Sequence, residues 1–345
     1  YKNVYRPARV ISYDKESGEL VLHNYMDFDD LKDYVKISYE LTQDGLVISK
    51  GKLPEVSAVP HSDGKINLKI NVPESGKCYL KFIYNLKKEL PLLDEDYILG
   101  FDEIEVSKDD AKCKLAEKWL QKTGVDSELQ VKENDTQIHI KGREFAYTID
   151  KRTALFTEMK FAGREYLNHP MELNIWRAPT DNDMYIKAEW KKAHYDKAYT
   201  RAYTTEVVQG KHGVKIVSHA SVVAETVQKI LDVTITWKID ASGKIDADIE
   251  ATKDGEFPDL PRFGVRMFLD KKLSAARYFG MGPLESYRDK HQAASHGLYR
   301  ADVGDLHEDY IRPQENGSHY DCEYVELNNS RYGIVASAEK AFSFN

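Results

Sequence analysis

Three short segments hold most of the residues whose types and spacing could do chemistry. The first, Trp176-Arg177-Ala178-Pro179-Thr180-Asp181-Asn182-Asp183, crowds one guanidinium, two carboxylates and an amide around a proline. Pro179 fixes its own φ and biases Ala178 toward an extended conformation, so this loop has a defined shape. The second, Gly280-Met281-Gly282-Pro283-Leu284-Glu285-Ser286-Tyr287-Arg288-Asp289, sets two glycines ahead of a polar cluster. Those glycines permit close or left-handed backbone. The third, Tyr310-Ile311-Arg312-Pro313-Gln314-Glu315-Asn316-Gly317, ends on an Asn-Gly turn signal. Asp181, Asp183, Glu285 and Glu315 are the carboxylates available for proton transfer or nucleophilic attack. Their spacing favours no particular acid/base pair, and none is assigned as catalytic.

Each of these residues also has a structural reading. Arg offers a rigid fork to carboxylates, so Arg177 with Asp181 and Asp183 reads first as a network that holds the loop, and second as a polar face near substrate. Glu285, Tyr287, Arg288 and Asp289 divide in the same way between a strand-end network and an interdomain contact. Glu315 and Asn316 read as turn-forming. Trp176 and Trp190 could stack on a sugar, although large aromatics beside such loops usually belong to the core. His194, His219, His291, His296, His307 and His319 match no motif, which leaves each as a surface or satisfied core histidine.

The elements that must position these segments read as strands. Ala8 to Tyr13 and Glu19 to Asn24 flank Lys15-Glu16-Ser17-Gly18 as a hairpin. Val35 to Leu41 alternates apolar and polar, Asp44-Gly45 leads into Leu46 to Ser49, and Ile66 to Val72 alternates again. Cys78 to Asn85 and the segment around Ile98 to Val106 complete six or seven strands in about 100 residues, the pattern of an immunoglobulin-like sandwich. Residues 108 to 122 read as a linker, with a boundary near Asp110. Beyond it come Gln137 to Ile140, Phe145 to Asp150, Val214 to Ala224, Lys229 to Ile239 and Lys244 to Ala251, which suggest a larger antiparallel sandwich. One helix is expected, Ala188 to Ala198, with Trp190, Ala193 and His194 on one face. The fold class is therefore all-β, with domains over residues 1–108 and 109–345.

Composition narrows the function classes. The chain has 345 residues, 41% of them hydrophobic, with a formal net charge of -8. That supports two cores and gives no generic attraction to nucleic acid or anionic membrane. No run approaches the roughly 20 apolar residues of a membrane helix. The opening Tyr1-Lys2-Asn3-Val4-Tyr5-Arg6 is no signal peptide, and the lack of an initial Met suggests a removed N-terminus. Cys78, Cys113 and Cys322 lack metal-ligand spacing and read as reduced thiols.

In this order and at roughly this spacing, the three segments resemble the C-terminal region of lac-type β-galactosidases, in glycoside hydrolase family 2. The first is similar to that family's Arg-Ala-Pro-x-Asp-Asn-Asp segment, the second to its Gly-x-Gly-Pro-x-Glu-x-Tyr-x-Asp segment, and the third to its Tyr-x-x-Pro-x-Glu-Asn-Gly segment. Tyr1-Lys2-Asn3-Val4 resembles the junction that follows the family's catalytic barrel. The resemblance implies domain four, an immunoglobulin-like sandwich, and most of domain five, a supersandwich similar to galactose mutarotase. It implies hydrolysis of β-galactosides by two glutamates on a barrel outside this chain. It also implies a homo-oligomeric, cytoplasmic enzyme whose magnesium and monovalent cation are bound mainly by other domains, with no cofactor held here. Trp176, Arg177, Asp181, Asn182, Asp183, Glu285, Tyr287, Arg288, Glu315 and Asn316 become candidates for the rim of the sugar site.

Two departures stand out. The sequence stops at Phe342-Ser343-Phe344-Asn345, where the family continues to a late Trp of the sugar site, and Met184-Tyr185-Ile186-Lys187 runs almost directly into the helix, where the family's best-known member has a long mobile loop. An autonomous carbohydrate-binding module and a mutarotase-like enzyme are the alternatives, the latter on fold analogy alone.

Overall fold

A computed structural model describes residues 1–107, 129–226 and 229–345. The expected boundary near Asp110, the linker from 108 to 122 and Cys113 lie outside the described residues. The described residues form two compact units. One comprises residues 1–107, 274–308 and 316–345; the other comprises residues 129–226, 229–273 and 309–315.

The first unit opens with β1 (Ala8–Tyr13), β2 (Glu19–Asn24), the single-turn helix α1 (Leu31–Tyr34), β3 (Val35–Gln43), β4 (Leu46–Lys52), β5 (Asp63–Asn67), β6 (Cys78–Leu86) and β7 (Ile98–Glu105). These strands build two antiparallel sheets, ordered β1-β2-β5 and β4-β3-β6-β7. Alternation in β3 and β6 turns Ile37, Leu41, Leu80, Phe82 and Tyr84 inward to meet Leu20, Leu22 and Leu31. The β1–β2 hairpin forms as expected, with Gly18 supplying the positive φ of 78° at its turn. The strand expected over 66–72 is instead Asp63–Asn67, because its alternation is spent pairing with β2.

The second unit contains β8 (Gln130–Glu133), β9 (Gln137–Lys141), β10 (Phe145–Asp150), β11 (Leu155–Phe161), β12 (Arg164–Glu165), β13 (Leu167–Asn174), the helix α2 (Ile186–Lys192), β14 (Tyr199–Gln209), β15 (Gly213–Val223), β16 (Leu231–Asp240), β17 (Ile245–Lys253) and β18 (Gly264–Leu269). Its sheets run β12-β11-β10-β9-β8, β13-β18 and β14-β15-β16-β17, all antiparallel. The alternation of β16 buries Leu231, Val233, Ile235, Trp237 and Ile239. Trp237 packs edge-on against Phe156 at 4.9 Å and donates its indole N–H to the Ala154 carbonyl at 2.8 Å, which satisfies the one polar atom it buries.

The chain then adds β19 (Ala275–Gly282), β20 (Ser295–Asp302), β21 (His319–Asn328) and β22 (Gly333–Phe344) to the first unit, in the order β20-β19-β21-β22. These strands meet the β4-β3-β6-β7 sheet through a small buried group of Tyr79, Phe279 and Tyr324. Gly45 accepts the Leu298 N–H at 3.0 Å, and a Cβ there would stand 2.5 Å from that nitrogen, so only glycine permits the approach. The same holds at Gly280, whose added Cβ would collide with the Cys322 sulfur.

The all-β class is as expected. The helix is not: Ile186–Lys192 is helical, His194 turns to a left-handed φ of 57°, and Tyr195–Lys197 forms a separate 3-10 turn. Burial of Trp190, Ala193 and Tyr195 fixes this break, because a continuous helix could not turn Ala193 and Tyr195 inward together. Cys78 and Cys322 are buried free thiols. Among the described residues, no helix is long and apolar enough to cross a membrane.

Candidate functional site

In the second unit, the first sequence segment folds into a loop pinned by two arginine–carboxylate pairs. Thr180 precedes a 3-10 turn, Asp181–Asp183, and the Asp183 carboxylate reaches back to accept the Thr180 N–H at 2.7 Å and the Thr180 hydroxyl at 2.9 Å. A carboxylate in that place satisfies donors the turn would otherwise leave open. Arg177 grips the same carboxylate: Nη2 donates to Oδ1 at 2.9 Å and Nη1 lies 2.8 Å from Oδ2. The Arg177 and Asp183 side chains are 19% and 10% exposed, so the pair is largely removed from water. Arg177 also donates through Nε to the Pro261 carbonyl at 3.3 Å and lies over the Trp190 ring at 5.6 Å.

The second pair joins Glu315 to Arg262 at 2.6 Å. The other Glu315 oxygen accepts the Ala178 N–H at 3.0 Å, and the neighbouring Gln314 side chain accepts the Asp181 N–H at 3.3 Å. Three segments therefore converge on one loop, and every donor is aimed at a carboxylate or carbonyl. Asp181, Asn182, Met184 and Tyr185 stand at the exposed edge of the loop, while Trp176 is half-buried and meets Trp190 edge-on at 6.4 Å. Trp190 is buried and donates to the Asp259 carbonyl at 2.8 Å, and Tyr195 donates to the Pro258 carbonyl at 2.7 Å. Burial, with the negative charge of Asp259 nearby, pushes the Tyr195 phenol up to about 12.

In the first unit, Glu285 is the hub of the second segment. It is buried, pairs with Lys290, accepts from the Tyr287 hydroxyl at 3.3 Å and accepts the Gly317 N–H at 2.9 Å. Gly317 has a φ of 73°, which gives the Asn316-Gly317 turn its residue choice. Ser286 is wholly buried and accepts the Tyr320 N–H at 2.9 Å, whereas Arg288 and Asp289 are exposed.

Four polar residues that the motifs did not single out belong to these networks, Arg262 and Gln314 in one and Ser286 and Lys290 in the other; Glu103, equally unmarked, contacts His296 elsewhere in the first unit. Arg262 lies 53 residues from Glu315 along the chain, and no local pattern marks it. Among the histidines, His219 is exposed and lies 3.3 Å from the Thr234 hydroxyl, while His319 is buried with Nδ1 3.3 Å from the Met281 carbonyl. Among the described residues, no group of three or more His, Cys, Asp or Glu converges in a way that could hold a metal ion.

The arrangement can order loops and present a shaped polar edge. Arg177, Asp183, Glu285 and Glu315 each have a charged partner close at hand, so their charges act first on the protein itself.

Comparison with known sequences places this geometry in a family. Residues 141–345 match the model for the β-galactosidase small chain, and residues 20–107 match the model for β-galactosidase domain 4. The chain is similar to a β-galactosidase of Actinobacillus pleuropneumoniae, with 39% identity over all of this chain and 33% of the relative. It is also similar to a β-galactosidase of Staphylococcus xylosus, with 29% identity over all of this chain and 34% of the relative. A β-galactosidase of Pseudoalteromonas haloplanktis is 21% identical over 86% of the chain. The chain thus spans about a third of the length of these curated relatives. It belongs to the β-galactosidase family, to the portion built from domain 4 and the small chain.

Proposed function

We propose that this chain is the non-catalytic C-terminal region of a retaining β-galactosidase acting on terminal β-D-galactosides such as lactose. The observation that carries this reading is that whole β-galactosidases match the chain end to end while it accounts for only a third of them. In this reading, residues 1–108 form domain four and residues 109–345 form domain five. The glutamates that break the glycosidic bond sit on a barrel in the remaining two-thirds, which also supplies most of the magnesium and monovalent-cation ligands.

The role of this chain is then to hold the rim of the sugar site and to support assembly of a cytoplasmic homo-oligomer. The loop from Trp176 to Asp183 is the candidate rim element. Its buried ion pairs fix the backbone from inside, which leaves the exposed Asp181 and Asn182 to face outward. Glu315 supports that rim within the second unit, and Glu285, Tyr287, Arg288 and Asn316 of the first unit are further substrate-proximal candidates of the full-length enzyme. An autonomous sugar-binding role through Trp176, Arg177 and Glu285 draws less support, because Trp176 is packed on Trp190, Arg177 is occupied by Asp183 and Glu285 by Lys290.

The experiment is to assay this chain alone, and joined to the upstream two-thirds of its polypeptide, on a chromogenic β-galactoside. Turnover only in the joined protein supports the reading. Turnover by the chain alone that one substitution abolishes would overturn it.

A further inference from the structure

The segment Pro258-Asp259-Leu260-Pro261-Arg262 makes polar contacts to Arg177 of the candidate rim loop, to Trp190 and Tyr195 in the elements following it, and to Glu315. Its carbonyls accept from Tyr195 (at Pro258), Trp190 (at Asp259) and Arg177 (at Pro261), and its terminal guanidinium binds Glu315 at 2.6 Å. Two prolines stiffen the segment, so its acceptors are held in place before anything docks on them. Glu315 connects this template to the loop itself through the Ala178 N–H at 3.0 Å. The Glu315 side chain is only 8% exposed, and the Arg262 guanidinium at 2.6 Å holds its carboxylate in place.

We propose that Arg262 is a positioning residue: by holding Glu315 against the Ala178 amide, it sets the shape of the loop from Arg177 to Asp183 that faces the galactoside site. This rests on the reading of that loop as a rim element. Arg262 touches no substrate in this account. It acts through Glu315, and the loop takes a different shape when that carboxylate turns away to seek water.

Arg262→Leu takes the guanidinium away from the Glu315 carboxylate, whereas Arg262→Leu combined with Glu315→Gln leaves a neutral side chain whose carbonyl still accepts from Ala178. The two variants therefore separate loop shape from the mere presence of Arg262. In this chain, hydrogen exchange at the Ala178 and Asp181 amides should speed up in Arg262→Leu and return toward wild type in the double variant, while amides of β15 and β16 stay unchanged in both. In the full-length polypeptide, Arg262→Leu should raise KM for a β-galactoside about tenfold with kcat little altered, and Glu315→Gln should restore KM.

Unchanged exchange at Ala178 in Arg262→Leu, or a speeding of exchange throughout β15 and β16 that mirrors it, would overturn the proposal. A full-length protein with altered exchange but unaltered KM would overturn the link to the sugar site. A full-length protein with no β-galactosidase activity would sink the functional reading instead, and the exchange measurement would still decide the role of Arg262.

Discussion

His296 on β20 reaches Glu103 on β7 at 2.7 Å through Nδ1, and its Nε2 lies 2.9 Å from Asp321 on β21. Both ring nitrogens thus face carboxylate oxygens, and only the imidazolium can donate to both. The His296 N–H adds two contacts of 3.0 Å to the same Glu103 carboxylate, and the ring stacks on Tyr79 at 4.1 Å. This cation joins the β4-β3-β6-β7 sheet to the β20-β19-β21-β22 sheet within the first unit.

Burial alone would push the His296 imidazolium down. Hydrogen bonds and charge from Asp321 and Glu103 outweigh it and hold the group up to about 9. A histidine raised in the folded state stabilises it fully below its unfolded value, and that stabilisation is lost as pH rises through the folded value. A rise from the ordinary value of 6.5 to about 9 is worth about 3 kcal/mol. Urea unfolding of the wild type should therefore weaken between pH 7 and pH 10, and His296→Gln should show a flatter profile. Parallel profiles would contradict the clamp.

His319 has the opposite sign. Burial beside Tyr278 and Phe344 pushes its imidazolium down, and Nε2 has no hydrogen-bond partner among the described residues. The folded state therefore disfavours the protonated ring, and stability is lost as pH falls below the unfolded value of about 6.5. His319→Phe should lessen the loss of stability between pH 6.5 and pH 5, measured by thermal unfolding. An unchanged acid limb would count against it.

The Arg177–Asp183 pair should show the asymmetry of buried charges. Removing one partner by Arg177→Leu should cost about 3 kcal/mol, because the Asp183 carboxylate remains buried without its cation. Replacing both, with Arg177→Leu and Asp183→Asn, should cost less than the sum of the two single changes. A double-mutant cycle in urea reads the coupling; strict additivity would show that the pair does not act as a unit.

Packing in the second unit predicts a larger effect from apolar truncation. Phe156 is wholly buried and meets both Trp237 and Tyr147 edge-on. Phe156→Ala should cost about 3–5 kcal/mol through lost burial and the cavity it leaves. A change below about 1 kcal/mol would mean that the core repacks freely around the site.

Much of this architecture could be read from side-chain alternation. The period of two from Val35 to Leu41 and from Leu231 to Ile239 fixed both strands and their inward faces, and Asp44-Gly45 and Asn316-Gly317 marked real turns. Strands such as β13, β14 and β18 escaped notice because bulges break their register or exposure leaves both faces polar. The motifs pointed to Arg177, Asp183, Glu285 and Glu315, which all became hubs. They could not reveal Arg262, Gln314 or Glu103, whose roles come from pairing across long stretches of chain rather than from any neighbour in sequence.

The central claim is that this chain shapes a glycosidase without performing its chemistry. Purified chain should release no chromophore from a chromogenic β-galactoside, and the chain joined to the upstream two-thirds of its polypeptide should turn it over. Turnover by the purified chain alone, abolished by replacing a single one of its carboxylates, would contradict the account.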